Sequence, residues 1–152
     1  MKSSCSSDYE DLIADSDYCF KIVENQLNWP SAKQKCQDDG ANLVCFNNTN
    51  ERDFWTTKCE GCWAGYAWES GGMLSAGQWK ADDSQATCPD DVVPGSGHWS
   101  DGSGQCSRIL PSSPNKLEGG ECTDDDEKFI CQKKKQLTSI LLNDDSELSL
   151  LL

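Results

Sequence analysis

Apolar positions in this chain switch between two periods. Trp29, Ala32 and Cys36 recur three and four residues apart, so they share one face of a helix. Asn28 is placed to cap that helix, and Pro30 sits near its start, where a missing N–H costs little. Gly40 supplies the left-handed residue that ends it. Residues 41–46 are short, apolar and bounded, which suits a buried strand. Residues 18–23 alternate as a strand does. Residues 49–58 begin polar, carry acidic residues early and end on Lys58, which predicts a short helix by cap and dipole logic. Residues 63–66 read as a central strand, and 106–110 and 128–132 as two more.

The remaining stretches lack either period. Residues 3–18 are rich in Ser and Asp and read as irregular, bracketed by Cys5 and Cys19. Between 69 and 105 Gly, Ser, Asp and Pro dominate, with isolated tryptophans at 79 and 99. So long a loop region inside a compact domain is usually functional. A further Pro/Gly turn region runs from 111 to Cys122. The organisation expected is a short N-terminal end at 1–4, one domain over 5–133 and a flexible tail over 134–152. In that tail Leu137, Ile140, Leu141, Leu148, Leu150, Leu151 and Leu152 flank Asp144 and Asp145, and the leucines can also pack on the domain or on a second copy.

Charge and cysteine content narrow the class. The 152 residues carry 13 basic and 26 acidic side chains, a formal charge of −13. Nothing here would neutralise phosphates, so nucleic acid is excluded as a partner. An acidic surface is compatible with hard cations such as calcium, though acidity alone mostly serves solubility. Ten cysteines, an even count, predict disulfides and an oxidising, extracellular setting. No stretch of about eighteen apolar residues is present to span a membrane. The first residues, Met1 to Ser4, are not followed by an apolar signal-peptide core, so the start reads as a mature end with an added Met or as an incomplete gene model. Asn47-Asn48-Thr49 is an N-glycosylation sequon and points to the secretory route, hence to a secreted glycoprotein. Cys59-x-x-Cys62 has the outline of a zinc or redox motif, but with one histidine in the chain a disulfide is the better reading.

Taken in order, these landmarks resemble a C-type lectin-like domain of the long form, over roughly residues 5–133. Tyr18-Cys19-Phe20-Lys21 resembles the family's opening strand, and Trp29-x-x-Ala32-x-x-x-Cys36-x-x-x-Gly40-Ala41-x-Leu43-Val44 its first helix and following strand. Glu51-x-x-Phe54-Trp55 resembles the second helix, and Trp63-Ala64-Gly65-Tyr66 the Trp-Ile-Gly-Leu strand at the family core. Trp79-Lys80-Ala81-Asp82-Asp83 resembles the entry to the long loop, and Cys106, Cys122 and Phe129-Ile130-Cys131 the closing cysteines. The fold this implies is α+β: two helices flanking small antiparallel sheets, a long irregular loop region, and many disulfides.

The resemblance also implies three bonds, Cys36–Cys131, Cys106–Cys122 and Cys5–Cys19, where spacing alone leaves about 945 pairings. Cys45, Cys59, Cys62 and Cys88 depart from the basic family pattern and leave three pairings open. A bond from Cys88 to Cys59 or Cys62, stapling the loop to the core, is the expectation.

Sugar-binding members of the family hold calcium with a Glu-Pro-Asn or Gln-Pro-Asp triplet and a Trp-Asn-Asp triplet, oxygen ligands that suit a hard cation. Counting back from Cys122 puts the second triplet on Leu117-Glu118-Gly119, where Glu118 can still ligate and Gly119 offers only a carbonyl. The first falls near Ser96-Gly97-His98 by spacing, or on Cys88-Pro89-Asp90 followed by Asp91 by residue type, with Pro89 then the family's cis proline. Calcium is the one cofactor the resemblance brings in, and these departures leave dependence on it open. Candidate metal ligands are Asp90, Asp91 and Glu118, with Asp82, Asp83 and Asp101 as further carboxylates. His98, Trp99 and Asp101 are candidate ligand contacts, since an indole can stack on a sugar face. Trp29, Trp55 and Trp63 are assigned to the core, and Trp68 and Trp79 lean the same way. No serine sits in a nucleophile motif, so no enzyme is expected. The function expected is extracellular recognition of a glycan or cell-surface glycoprotein through the long loop. The rivals are a protein ligand bound without calcium or sugar, and an ice or mineral surface.

Overall fold

The computed structural model describes residues 3–6, 8–67, 78–79, 106–112 and 116–137. Its helices are α1, Trp29–Asp38, and α2, Thr49–Lys58. Its strands are β1 (Ser3–Ser4), β2 (Tyr18–Leu27), β3 (Asn42–Leu43), β4 (Trp63–Ala67), β5 (Gln78–Trp79), β6 (Cys106–Ile109), β7 (Leu117–Gly120), β8 (Glu127–Lys134) and β9 (Gln136–Leu137).

Both helices start and stop for the reasons their sequences supply. Asn28 is extended, and its side-chain oxygen accepts the Ser31 amide at 3.0 Å. Trp29, Ala32 and Cys36 form the buried face of α1, and Gly40 follows it at φ +74°. On α2 the cap is Asn48, whose oxygen accepts the Glu51 amide at 2.9 Å. Glu51 reaches back in turn, taking the Asn47 backbone and side-chain N–H groups on Oε1 at 3.0 and 3.1 Å. Two orphan donors at the helix entrance are thereby satisfied.

The main sheet runs β2-β8-β4-β6-β7, with β3 also on β8 and β5 also on β4. β2 and β8 are antiparallel, Phe20 opposite Gln132 and Ile22 opposite Ile130. The other edge of β8 meets β4 in parallel at Phe129 and β3 at Cys131 and Gln132. β6 continues from β4, and β7 pairs antiparallel with β6. Around this sheet Phe20, Phe46, Trp55, Trp63, Tyr66, Ile109, Leu117, Phe129 and Ile130 are fully or almost fully buried. The indole N–H groups of Trp29 and Trp63 donate to the Ala64 and Leu27 carbonyls, both at 2.8 Å. Trp55 Nε1 has no hydrogen-bond partner among the described residues.

Four expectations need correction. The strand expected over 41–46 is regular only at Asn42–Leu43. Val44, Cys45 and Phe46 are each 0% exposed. Beyond Leu43 the backbone leaves the ladder: the Cys45 N–H donates to the Gln132 side-chain oxygen at 3.2 Å rather than to the backbone of a neighbouring strand. Val44 still links two strands, donating to the Ile130 carbonyl at 2.9 Å and accepting from Gly65 at 2.8 Å. The region from 111 to Cys122 holds strand β7, because Gly120 gives room rather than a turn: a Cβ there would lie 2.9 Å from two ring atoms of Trp63. Residues 3–18 are not uniformly irregular. β1 pairs with β9, and Glu10 exchanges two backbone hydrogen bonds with Phe20 at 2.8 and 2.9 Å. Strand pairing thus reaches beyond 5–133 at both ends. Finally, Cys59 bonds to Cys62 across two residues, so neither holds Cys88. The C-x-x-C spacing lets the turn between α2 and β4 close on itself.

The three bonds implied by the resemblance are present: Cys5–Cys19, Cys36–Cys131 and Cys106–Cys122. Cys45 is disulfide-bonded too, to a partner outside the described residues. Cys36 and Cys131 are 95 residues apart in sequence, and closing so long a loop is worth ~4–5 kcal/mol in the chain-entropy model.

Gly120→Ala places its Cβ against the buried Trp63 ring, with no flexible tail to give way. Urea unfolding of this variant is expected to lose about 1–3 kcal/mol by overpacking. The N-terminal segment supplies a second expectation. Tyr9 is 4% exposed, its hydroxyl donates to Asp39 at 2.9 Å, and the Lys133 ammonium lies 4.6 Å from its ring centroid. Burial, reinforced by the Asp39 carboxylate, pushes the phenol well above its usual value. Below a pH of about 10 the phenol is neutral in both folded and unfolded chains. Above it the unfolded chain ionises while the folded one resists, so stability falls as pH rises. Thermal melts at alkaline pH should show that slope in the native chain and a shallower one in Tyr9→Phe.

Candidate functional site

The functional stretch expected from sequence enters the described structure at the β6–β7 hairpin. Along β6, Cys106, Ser107 and Ile109 are buried while Arg108 is half-buried. The register sets Arg108 opposite Glu118. Its Nε donates to Glu118 Oε2 at 2.7 Å. Its Nη1 donates to Glu127 Oε2 at 2.8 Å and to Asp125 Oδ2 at 3.3 Å. Asp125 Oδ2 also accepts the Glu121 amide at 2.8 Å, which fixes the connection from β7 to β8.

One guanidinium therefore holds three carboxylates from two strands and the connection between them. Burial works against its charge, but the hydrogen bonds and charges of Glu118 and Glu127 outweigh that and raise its pKa further. The side chains of Arg108 and Glu118 remain 22% and 18% exposed, so a ligand can reach donor and acceptor side by side. Two hollows lie elsewhere. One of about 150 Å³ is lined by Lys21, Lys35, Asp38 and Asp39 over Cys131. The other, of about 250 Å³, lies between the start of β2, the entrance to α2 and Lys134 at the end of β8.

Of the candidate residues, Glu118 is on β7 with its carboxylate on Arg108. Gly119 is its neighbour on the same strand. Asp82, Asp83, Asp90, Asp91, His98, Trp99 and Asp101, with Pro89 and Trp68, lie outside the described residues. The described half of the expected calcium set does not fit the ion. A fixed positive charge already occupies the Glu118 carboxylate, and Gly119 has no side-chain oxygen. Among the described residues no group of three or more His, Cys, Asp or Glu side chains is arranged to hold a metal. Arg108, Asp125 and Glu127 were not singled out by sequence. The signal was available only once 117–120 was read as a strand, which puts Arg108 opposite a glutamate.

Residues 25–133 match the model of the lectin C-type domain family. The fold is similar to the cow C-type carbohydrate-recognition domain of CD23, solved in the presence of a GlcNAc2Man3 oligosaccharide, with TM-score 0.66 and 20% identity over 90% of this chain and 100% of that one. It is similar to a calcium-independent type II antifreeze protein, with TM-score 0.63 and 16% identity over 90% and 98%. It is also similar to the mouse scavenger receptor C-type lectin carbohydrate-recognition domain, with TM-score 0.58 and 20% identity over 88% and 99%. No helix among the described residues is long and apolar enough to cross a membrane.

Arg108→Ala should leave three neighbouring carboxylates without their cation. The variant is expected to lose about 1–3 kcal/mol, the cost of stranding charged hydrogen-bond partners. Added calcium should then raise its melting midpoint more than that of the native chain, because oxygen ligands are released to a hard cation. Equal calcium responses would mean that Arg108 does not stand in a cation's place.

Proposed function

Because the chain belongs to the C-type lectin domain family, we propose that it is an extracellular, non-enzymatic binding module that recognises a glycan without depending on calcium. A binding role follows from the family. The finer reading rests on the hairpin, where the cation of the site is a side chain.

The observation that carries it is the Arg108–Glu118 pair between β6 and β7, the strand on which the place of the second calcium triplet falls. A sugar hydroxyl both donates and accepts, so a guanidinium beside a carboxylate offers the complementary pair. Charge-assisted hydrogen bonds of this type are roughly twice as strong as neutral ones. The metal is then not needed to organise the hydroxyls on this side of the site. Asp90, Asp91, His98, Trp99 and Asp101 complete the proposed contact set from the stretch that precedes Cys106. The paired cysteines suit an oxidising, extracellular location.

A second reading, ice binding without calcium, draws on the likeness to the antifreeze protein. Thermal hysteresis separates the two.

A glycan array read with calcium and again with chelator tests the proposal. The expected outcome is binding in both, with Kd unchanged by chelator in isothermal titration. Glu118→Gln and Arg108→Lys should each weaken it about tenfold, since one removes the acceptor charge and the other the planar donor fork. A silent array in both conditions, with measurable thermal hysteresis, would replace the glycan reading by the ice reading.

A further inference from the structure

We infer that Asn47 is a site of N-linked glycosylation, and that the folded chain is built to carry the glycan at the entrance to α2. The inference rests on the extracellular reading given above. The sequon Asn47-Asn48-Thr49 is only a pattern until its surroundings are known. Three features of those surroundings favour modification.

First, the sequon lies where the chain is accessible. Asn48 and Thr49 are exposed and Asn47 is half-buried. The helix cap is Asn48 and not Asn47, so a sugar on Asn47 leaves the cap on the Glu51 amide untouched.

Second, the local hydrogen bond tolerates the chemistry. Asn47 Nδ2 donates to Glu51 Oε1 at 3.1 Å, and the Asn47 backbone N–H supports the same oxygen at 3.0 Å. The donor substrate is an oligosaccharide linked to a lipid diphosphate. Asn47 Nδ2 bonds to the anomeric carbon of the first sugar. The bond from that carbon to the diphosphate breaks, and the diphosphate leaves with its electron pair. One Nδ2 proton passes to a base of the transferase. The product is a secondary amide that keeps one N–H, the number that the Glu51 contact requires.

Third, there is room. The hollow of about 250 Å³ opens beside Asn47 and is lined by Asp15, Asp17, Tyr18, Asn48, Glu51 and Lys134. Its walls give hydroxyl groups both acceptors and a cationic donor, and Tyr18 adds a ring against which a sugar face can pack. A glycan here covers the junction of β2, β8 and α2.

The full chain, given a secretory leader, is expressed in a eukaryotic host, and the mass of cell-retained and secreted protein is read before and after enzymatic release of N-glycans. The expected result is a glycan mass lost on release, with Asn47 converted to aspartate. Thr49→Ala should remove that mass without touching the Asn47–Glu51 contact, and Thr49→Ser should restore it. Asn47→Gln serves as a further control. The glycosylated chain should melt at or above the temperature of the Thr49→Ala form from the same host. Unmodified Asn47 in oxidised, secreted protein overturns the inference and leaves the binding proposal standing. A lower melting midpoint for the glycosylated chain also overturns it, because the sugar would then be displacing the Glu51 contact. Loss of glycan-array binding with Asn47 modified overturns the binding proposal alone.

Discussion

One indole connects the two halves of the sheet. Trp63 is fully buried on β4, opposite Arg108 on β6 and beside Phe129 on β8. Its N–H closes on the Leu27 carbonyl at the end of β2, and its ring lies over Gly120 on β7. The backbone of β4 pairs with β6 and β8 while the Trp63 side chain reaches β2 and β7, and the close approach at Gly120 admits no other residue without movement. Burying a ring of this size contributes a few kcal/mol. Its larger effect is on register. The space its ring needs is met by Gly120 in the observed alignment, the one that sets Arg108 against Glu118.

The hairpin chemistry follows from that alignment. Arg108 faces Glu118 because they are register partners on paired strands, and the chain after β7 then brings Asp125 and Glu127 to the same guanidinium. These strands are drawn together by a cation attached to the chain. The charge is permanent, since a guanidinium does not titrate in the accessible range. An arginine donates in a plane and toward fixed directions, whereas calcium accepts several ligands in flexible geometry.

Much of the frame was legible because it depends on local rules. Asn28, Pro30 and Gly40 bounded α1, and polar, acidic and basic positions bounded α2, at the residues observed. Alternation located β2, and short bounded runs located β4, β6 and β8, within a few residues. What escaped was set by contacts distant in sequence. Gly119 and Gly120 look like a turn until Trp63, more than fifty residues earlier, is known to need the space. Val44 to Phe46 look like a strand until the Cys45 amide is found on the side chain of Gln132, nearly ninety residues later. Cys59 and Cys62 look available to Cys88 until the turn closes them on each other. The site was less legible than the frame for the same reason. Arg108 has no motif, and its role exists only across a strand pair.

The separation between frame and site has a physical consequence. Cys36–Cys131 ties α1 to β8, and Cys106–Cys122 ties the start of β6 to the end of β7. The second bond encloses the whole hairpin, so the backbone beneath Arg108 and Glu118 is held by covalent closure and by Trp63. Arg108 shares a face with Trp63 and its guanidinium lies beside Gly120, where the Trp63 ring also packs, while Glu118 lies at the half-exposed rim of the same hairpin. Substitutions at 118, and those at 108 that keep a cation there, can therefore alter what the face binds while the frame persists, whereas substitutions at 63, 106, 120 or 122 disturb both. A half-buried ion pair on a covalently closed hairpin is thus a place where ligand preference can diverge while the fold persists. That accounts for a family-type frame in this chain carrying a site whose charged centre is an arginine.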